Sequence, residues 1–339
     1  MGDSLNRAQI STLALTTFSS EELREAVRGS DFEHVQLTGG PFRGHLQQLR
    51  FGDSVLDTGI YSQDLLATGT FPADRITLGY ILSAGAAGYF NGMRLAAHDI
   101  IVIGESGAME PYRLPADTQW IALQTRRDFL EREGIPVPAP TRIMRYSGLS
   151  RATLRLGQYF KLLVTPPPRS LSGPALLIPG DGLMLEEQLI AAYRRAIDAV
   201  ENNDPRKHRP HRQDGIRILR EFGEIVAQNL LSELRIGEVC AQIGTSQRTL
   251  EYLVKDYYGM SPLRYMTVHR LNAVHHALLH TVADSESIAA IAGHFGFKHP
   301  GRFAQYYRKQ FGESPSNTHK TGIGAAEGHD HIVTASGMR

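Results

Sequence analysis

Two stretches of the chain share one design: Arg235 to Gly259 reads RIGEVCAQIGTSQRTLEYLVKDYYG, and Ser285 to Gly312 reads SESIAAIAGHFGFKHPGRFAQYYRKQFG. In the first, Ile236, Val239, Cys240 and Ile243 recur at the spacing that lines one face of a helix. Gly244 supplies the stop and Ser246 the N-cap of a second helix, which turns Leu250, Leu253 and Val254 inward. In the second, Ile288, Ile291, Ala292 and Phe295 mark the first helix and Gly296-Phe297 the turn, with Phe303, Tyr307 and Phe311 on the inner side of the next helix. Two helices joined by a short glycine-containing turn make a helix-turn-helix, whose second helix enters the DNA major groove. Between the copies, Ser261-Pro262 opens SPLRYMTVHRLNAVHHALLH, a single helix with Leu263, Met266, Leu271, Val274 and Leu278 as its apolar content. One rigid helix fixes how the two units sit.

The reading helices are expected at about 246–257 and 299–310, and their outward residues divide by chemistry. Arginine can hold guanine O6 and N7 with two hydrogen bonds, so Arg248 and Arg302 are the first candidates for base contact. Gln247 and Gln305 suit adenine, Glu251 can accept from cytosine N4, and Tyr252 suits a thymine methyl or packing; His299 opens the second helix beside them. Thr249, Lys298, Arg308 and Lys309 are candidates for phosphate contact, which positions a protein without reading sequence. The second copy is the more basic, so it should supply more of the attraction to phosphate and the first more of the base choice.

These residues carry a family resemblance. Gly259 to Pro262 (GMSP), Arg270-Leu271 with Ala273, Gly296-Phe297, Arg302-Phe303, Tyr307, and Phe311 to Pro315 (FGESP) together resemble the AraC-type (AraC/XylS) DNA-binding domain. The resemblance spans about a hundred residues and implies a double helix-turn-helix joined by a linker helix. It also implies a homodimer, a small-molecule effector and activation through RNA polymerase. The usual aromatic in the middle of the first reading helix is Val254 here, and the usual basic residue nearby is Tyr252, which changes the base preference expected of that helix. The N-terminal half is similar to the cupin-like sensing halves of this family, with a likeness to ethanolamine-operon regulators.

The expected fold is therefore α+β. Residues 1–30 form a polar lead-in, with a helix that Ser20 caps and Glu21 and Glu22 begin. From 31 to about 125, short runs such as HVQL, HLQQLRFG, SVLDTGIY, RITLGYIL, GYFNGMRL, DIIVIG and QWIALQT predict a cupin-like antiparallel β-barrel. Helices follow to 203, including TRRDFLEREG, SGLSRATLRLGQYFKLLV and LEEQLIAAYRRAIDAVENN, with a proline-rich extended run from Thr165 to Gly182 between the last two. The last helix aligns Leu185, Leu189, Ala192, Tyr193 and Ala196 on one face, a candidate dimer seam. A basic linker spans 204–214, the DNA-binding domain 215–320 and a disordered tail 321–339. Tyr61, Tyr80, Tyr89, Phe90 and Trp120 are the candidates for an effector pocket.

Composition excludes several classes. At 42% hydrophobic and 21% charged the chain is globular, and a net charge of +1 means that any surface for nucleic acid is local. The single cysteine, Cys240, rules out an internal disulfide, fits a reducing cytoplasm and falls where a small buried hydrophobe belongs. No run is long and apolar enough to span a membrane, and no signal peptide opens the chain. A cupin-type enzyme would need paired histidines on a strand, yet His45 and His98 stand alone. His275 and His276 point apart on a helix, so neither a metal nor any other cofactor is expected. An effector-independent repressor or architectural protein is the other reading of the same DNA-binding domain.

Overall fold

The computed structural model describes residues 9–26, 30–72, 74–104, 111–137, 143–164, 182–201, 213–231, 234–281 and 286–325. The N-terminal part runs β1 (Gln9–Leu15), α1 (Ser20–Ala26), β2 (Asp31–Gln36), β3 (Gly44–Phe51), β4 (Ser54–Tyr61), β5 (Leu65–Thr70), β6 (Ile76–Ser83), β7 (Gly88–Phe90) and β8 (Met93–Leu95). It continues with β9 (Ile100–Ile103), β10 (Tyr112–Leu114), β11 (Gln119–Thr125), α2 (Arg127–Arg132), β12 (Ile143–Tyr146), α3 (Arg151–Val164) and α4 (Gly182–Glu201). The C-terminal part is helical: α5 (Gln213–Gln228), α6 (Ile236–Ile243), α7 (Gln247–Tyr258), α8 (Pro262–His280), α9 (Ile288–His294), α10 (Pro300–Phe311) and α11 (Pro315–Ala325).

The strands pair into two antiparallel sheets, ordered β1-β3-β4-β11-β6-β9-β12 and β2-β5-β10-β7-β8. Neither closes on itself, so the expected barrel is corrected to two facing sheets with four edge strands. The reason lies in the alternation along β6 and β9. Leu78, Tyr80, Leu82, Ile100 and Val102 point to one side, where Leu156 and Phe160 of α3 and Leu189, Tyr193 and Ile197 of α4 cover them. Ile81, Ile101 and Ile103 point to the other, against Phe90 and Leu95 of the second sheet. Tyr193 ties the helical layer down further by donating its hydroxyl to the carbonyl of Leu78 at 3.0 Å.

The helix α4 stripe is thereby spent within the chain. Leu185, Leu189, Tyr193 and Ala196 are buried against the sheet and α3, and Ala192 is half-buried at its margin. The proposed dimer seam is core, because a sheet face this apolar needs a cover and α4 provides it.

Two terminal expectations also change. The lead-in contains strand β1, which pairs with β3 from Gln9 opposite Arg50 to Leu15 opposite Gly44. Helix α1 begins at Ser20, but its cap is Ser19, whose hydroxyl accepts from the Glu22 amide at 3.2 Å; the Ser20 hydroxyl accepts from the His34 amide instead. At the other end α11 carries regular helix to Ala325, five residues into the expected tail. The linker up to 212, the proline-rich run at 165–181 and residues 326–339 lie outside the described residues. Among the described residues, no helix is long and apolar enough to cross a membrane.

The sheets and the helical domain do not have separate cores. Leu15, Phe18, Phe42 and Leu46 pack with Leu271, Val274, Leu278, Phe303, Tyr307 and Phe311, while Leu37 and Leu66 join Phe222, Leu250, Val254, Tyr265 and Val268. Helix α8 is accordingly buried on more than one side. At the centre of the junction, Gln36 of β2 gives its amide N–H to Asn272 Oδ1 at 2.9 Å and its carbonyl accepts from Asn272 Nδ2 at 3.1 Å. The same carbonyl accepts from Gln310 Nε2 at 2.8 Å, and Gln36 Nε2 donates to the Gln310 carbonyl at 2.7 Å. His275 stands beside this network with Nε2 donating to the Phe18 carbonyl at 2.7 Å and Nδ1 at 2.6 Å from the Tyr307 hydroxyl.

Replacing Asn272 by leucine leaves the Gln36 amide without its partner in a buried site. Denaturant unfolding of the full chain should show a loss of about 1–3 kcal/mol, the cost of such an orphaned group. Burial also pushes His34 and His275 down to about 4. Unfolded, both take up protons near pH 6.5, so their contribution is full above that pH and is lost as pH falls toward 4. His269 is pushed down to about 4 in the same way, and burial pushes Asp57 up to about 7, so its uptake of a proton in the folded state offsets one of the three histidines. Stability measured by urea between about pH 7 and 5 should therefore fall with a net slope approaching two protons.

Candidate nucleic-acid interface

Both helical pairs form as their sequence signals dictate. Gly244 closes α6 in the left-handed conformation at φ 71°, and the Ser246 hydroxyl accepts from the Thr249 amide at 3.1 Å to start α7. Ser287 caps α9 in the same way through the Ala290 amide at 3.2 Å, and Pro300 occupies the first turn of α10. The reading helices therefore begin and end one residue later than their approximate sequence bounds. Val254 is fully buried, so it fills the position of the usual aromatic. Cys240 is buried too, with burial raising its thiol pKa, as a packing side chain should be.

Every DNA-contact candidate is exposed. On α7 these are Gln247, Arg248, Thr249, Glu251 and Tyr252, the last 63% exposed; at α10 they are Lys298, His299, Arg302, Gln305, Arg308 and Lys309. Gln247 donates to Glu251 at 3.0 Å, which orients the two as one polar unit. Thr249 is partly committed, its hydroxyl lying 2.8 Å from that of Ser246 in the cap. One further candidate escaped the sequence reading: Tyr306, 48% exposed, one turn beyond Arg302 on the same side of α10. The spacing from Arg302 was the available signal.

The opposite ends of both helices are held by the sheets. Arg113 of β10 donates to the Tyr257 carbonyl in the last turn of α7 at 2.9 Å and pairs with Asp64 at 2.6 Å. A cation is well placed there, since the helix dipole is negative at that end. The Tyr257 hydroxyl donates to the Pro111 carbonyl at 3.3 Å, and the Tyr257 ring lies 4.3 Å from that of Tyr89, centroid to centroid. On α10 the hold is through Gln310 and through Gly312, at φ 77°, where a Cβ would stand 2.7 Å from Pro41. Sequence reasoning missed these grips because the partners are far apart in the chain.

The effector-pocket candidates do not converge on one place. Tyr80 lies under α3, donating to the Thr153 carbonyl at 2.9 Å and meeting His98 Nδ1 at 2.6 Å. Tyr61 is buried between Phe42 and Trp120, and Phe90 is buried between the sheets beside Phe71 and Tyr112. Tyr61 belongs to the core shared with the helical domain, and Tyr89 meets that domain directly at Tyr257. A shallow depression opens beside it, lined by Gly92, Pro111, Ile216, Leu219, Arg220, Tyr257 and Tyr258.

Residues 239–321 match a family of helix-turn-helix domains. The chain is 30% identical over 95 residues to the XylDLEGF operon transcriptional activator 2 of Pseudomonas putida, a match covering 28% of this chain and 60% of that one. It is 32% identical over 106 residues to the probable thc operon regulatory protein of Rhodococcus erythropolis, covering 31% of each. The chain thus spans less than two thirds of these relatives. A solved transcriptional regulator of Chromobacterium violaceum, with an AraC-type DNA-binding domain, is 30% identical over 31% of this chain and 91% of that one, at a TM-score of 0.30.

Substituting Arg302 by alanine should relax preference at one base pair and cost specific binding about 1–3 kcal/mol. Substituting Lys309 by alanine should weaken all duplexes alike and lower the salt dependence by about one counterion. Titrations on a selected and a random duplex at several salt concentrations separate the two.

Proposed function

We propose that this chain, whose residues 239–321 form a helix-turn-helix domain of the AraC type, is a sequence-specific transcription regulator and a ligand-responsive activator. The observation that carries the reading is the split along each reading helix. The halves bearing Gln247, Arg248, Arg302 and Gln305 are open, whereas the last turns, with Tyr257 and Gln310, are fixed to the sheets. A protein that reads DNA with two helices and senses something in a second domain needs such a connection. The Tyr89 to Tyr257 contact supports it, because it joins a sheet strand directly to a reading helix. Residence in the cytoplasm, a homodimer and contact with RNA polymerase belong to the same proposal and rest on the family resemblance. With the α4 stripe buried, Leu154 and Leu162 of α3, Met184 of α4 and the neighbouring Leu149 are among the exposed apolar side chains available to a second copy. No catalytic role is assigned.

A second reading, an effector-independent repressor, draws support from the effector candidates being packed core. Because the cores are continuous, both readings are tested on the full chain. Selection from random duplexes followed by footprinting should protect two successive major-groove segments about 34 Å apart. A thermal-shift screen of small metabolites should find one that stabilises, by about 2.7 kcal/mol at a hundred times its dissociation constant. Footprints without any stabilising ligand would favour the repressor.

A further inference from the structure

Helix α8 carries His276 and His280 one turn apart on its solvent side, and α1 of the sheet domain brings Glu21 to the same point. Glu21 Oε1 lies 2.9 Å from His276 Nε2 and Glu21 Oε2 lies 2.5 Å from His280 Nε2. The three ligating atoms fall within 4.8 Å of one another, and the imidazole rings stack at 4.4 Å. A second observation sets the chemistry. His280 Nδ1 is 2.7 Å from the carbonyl of His276, an oxygen that only accepts, so Nδ1 carries the hydrogen. With Nδ1 so engaged, Nε2 is the nitrogen that faces the carboxylate, and positive charge between them, a proton or a metal ion, holds the contact. A backbone carbonyl holding the far nitrogen is also how ligating histidines are commonly oriented.

We propose that Glu21, His276 and His280 form a site for a divalent transition metal of the kind that takes imidazole and carboxylate, with water completing the shell. Ligand atoms around zinc stand roughly 3.3 Å apart at bond lengths near 2.0 Å, so opening the two carboxylate contacts by small side-chain rotations admits the ion. The residues come from two domains: Glu21 is 255 residues from His276 in sequence. A bound ion therefore fastens the sheet domain to the helix that joins the two DNA-reading units, and makes metal supply a second input to their docking. The His276/His280 spacing is visible in the sequence, whereas the carboxylate is not.

The test is calorimetric titration of the chelator-treated full chain with Zn²⁺. The parent should bind one equivalent more than each of His276→Ala, His280→Ala and Glu21→Ala, the first two at exposed positions and the third at a half-buried one outside the core. Saturating Zn²⁺ should raise the thermal midpoint of the parent by a few degrees and leave that of His280→Ala unchanged. Stoichiometry equal in the parent and a His276→Ala/His280→Ala double variant would place any metal elsewhere and overturn the proposal. So would imidazole NMR signals of His276 and His280 that titrate unchanged under excess Zn²⁺, as a proton-sharing cluster would.

Discussion

The molecule depends on how strand β2 finishes its hydrogen bonding. It is the edge of its sheet, paired to β5 on one side only, and the other side presents peptide groups that burial would leave unsatisfied. Asn272 answers as a neighbouring strand would, accepting from the Gln36 N–H and donating to the Gln36 carbonyl. Gln310 adds a second donor and receives the Gln36 side chain in return. A strand edge that invites association is thereby closed by side-chain amides from α8 and α10. Buried polar groups are costly unless paired, so the docking geometry is set far more narrowly than apolar packing alone would set it.

From that constraint the rest follows in order. With α8 laid against β2, its apolar residues complete both halves of the helical domain and the underside of the sheets at once. The ends of α7 and α10 nearest α8 become anchored, and the ends that face away stay open with their polar and basic residues. The asymmetry of each reading helix thus results from where the sheet edge lies, together with Arg113 neutralising the end of α7.

Local features were legible in the sequence to the extent that their causes are local. The cap at Ser246, the stop at Gly244 and the exposed faces of α7 and α10 come from neighbours within one or two turns. Most strands of the sheets announced themselves by alternation. Strand β1 did not, because Gln9, Ser11, Thr12 and Ala14 interrupt Ile10, Leu13 and Leu15 without strict alternation, which looks like a polar lead-in. The α4 stripe was visible, but its destination was not: an amphipathic helix states that it needs a partner without stating which. Gln36, Asn272 and Gln310 were silent for the same reason, since a buried amide and a solvated amide are spelled alike.

The shared core gives the molecule an unusual relation between its parts. In a modular regulator a DNA-binding half can be exchanged for another by joining linkers. Here Leu271, Val274, Phe303 and Phe311 are completed by Phe18, Phe42 and Leu46 of the sheet domain. Severed from it, the helical half would carry an open apolar wound on the side away from DNA, prone to aggregation. Transplanting it onto a different sensor would demand a host with a matching strand edge and a matching set of aromatic rings. Recombination between such halves is therefore restricted to partners that have changed together.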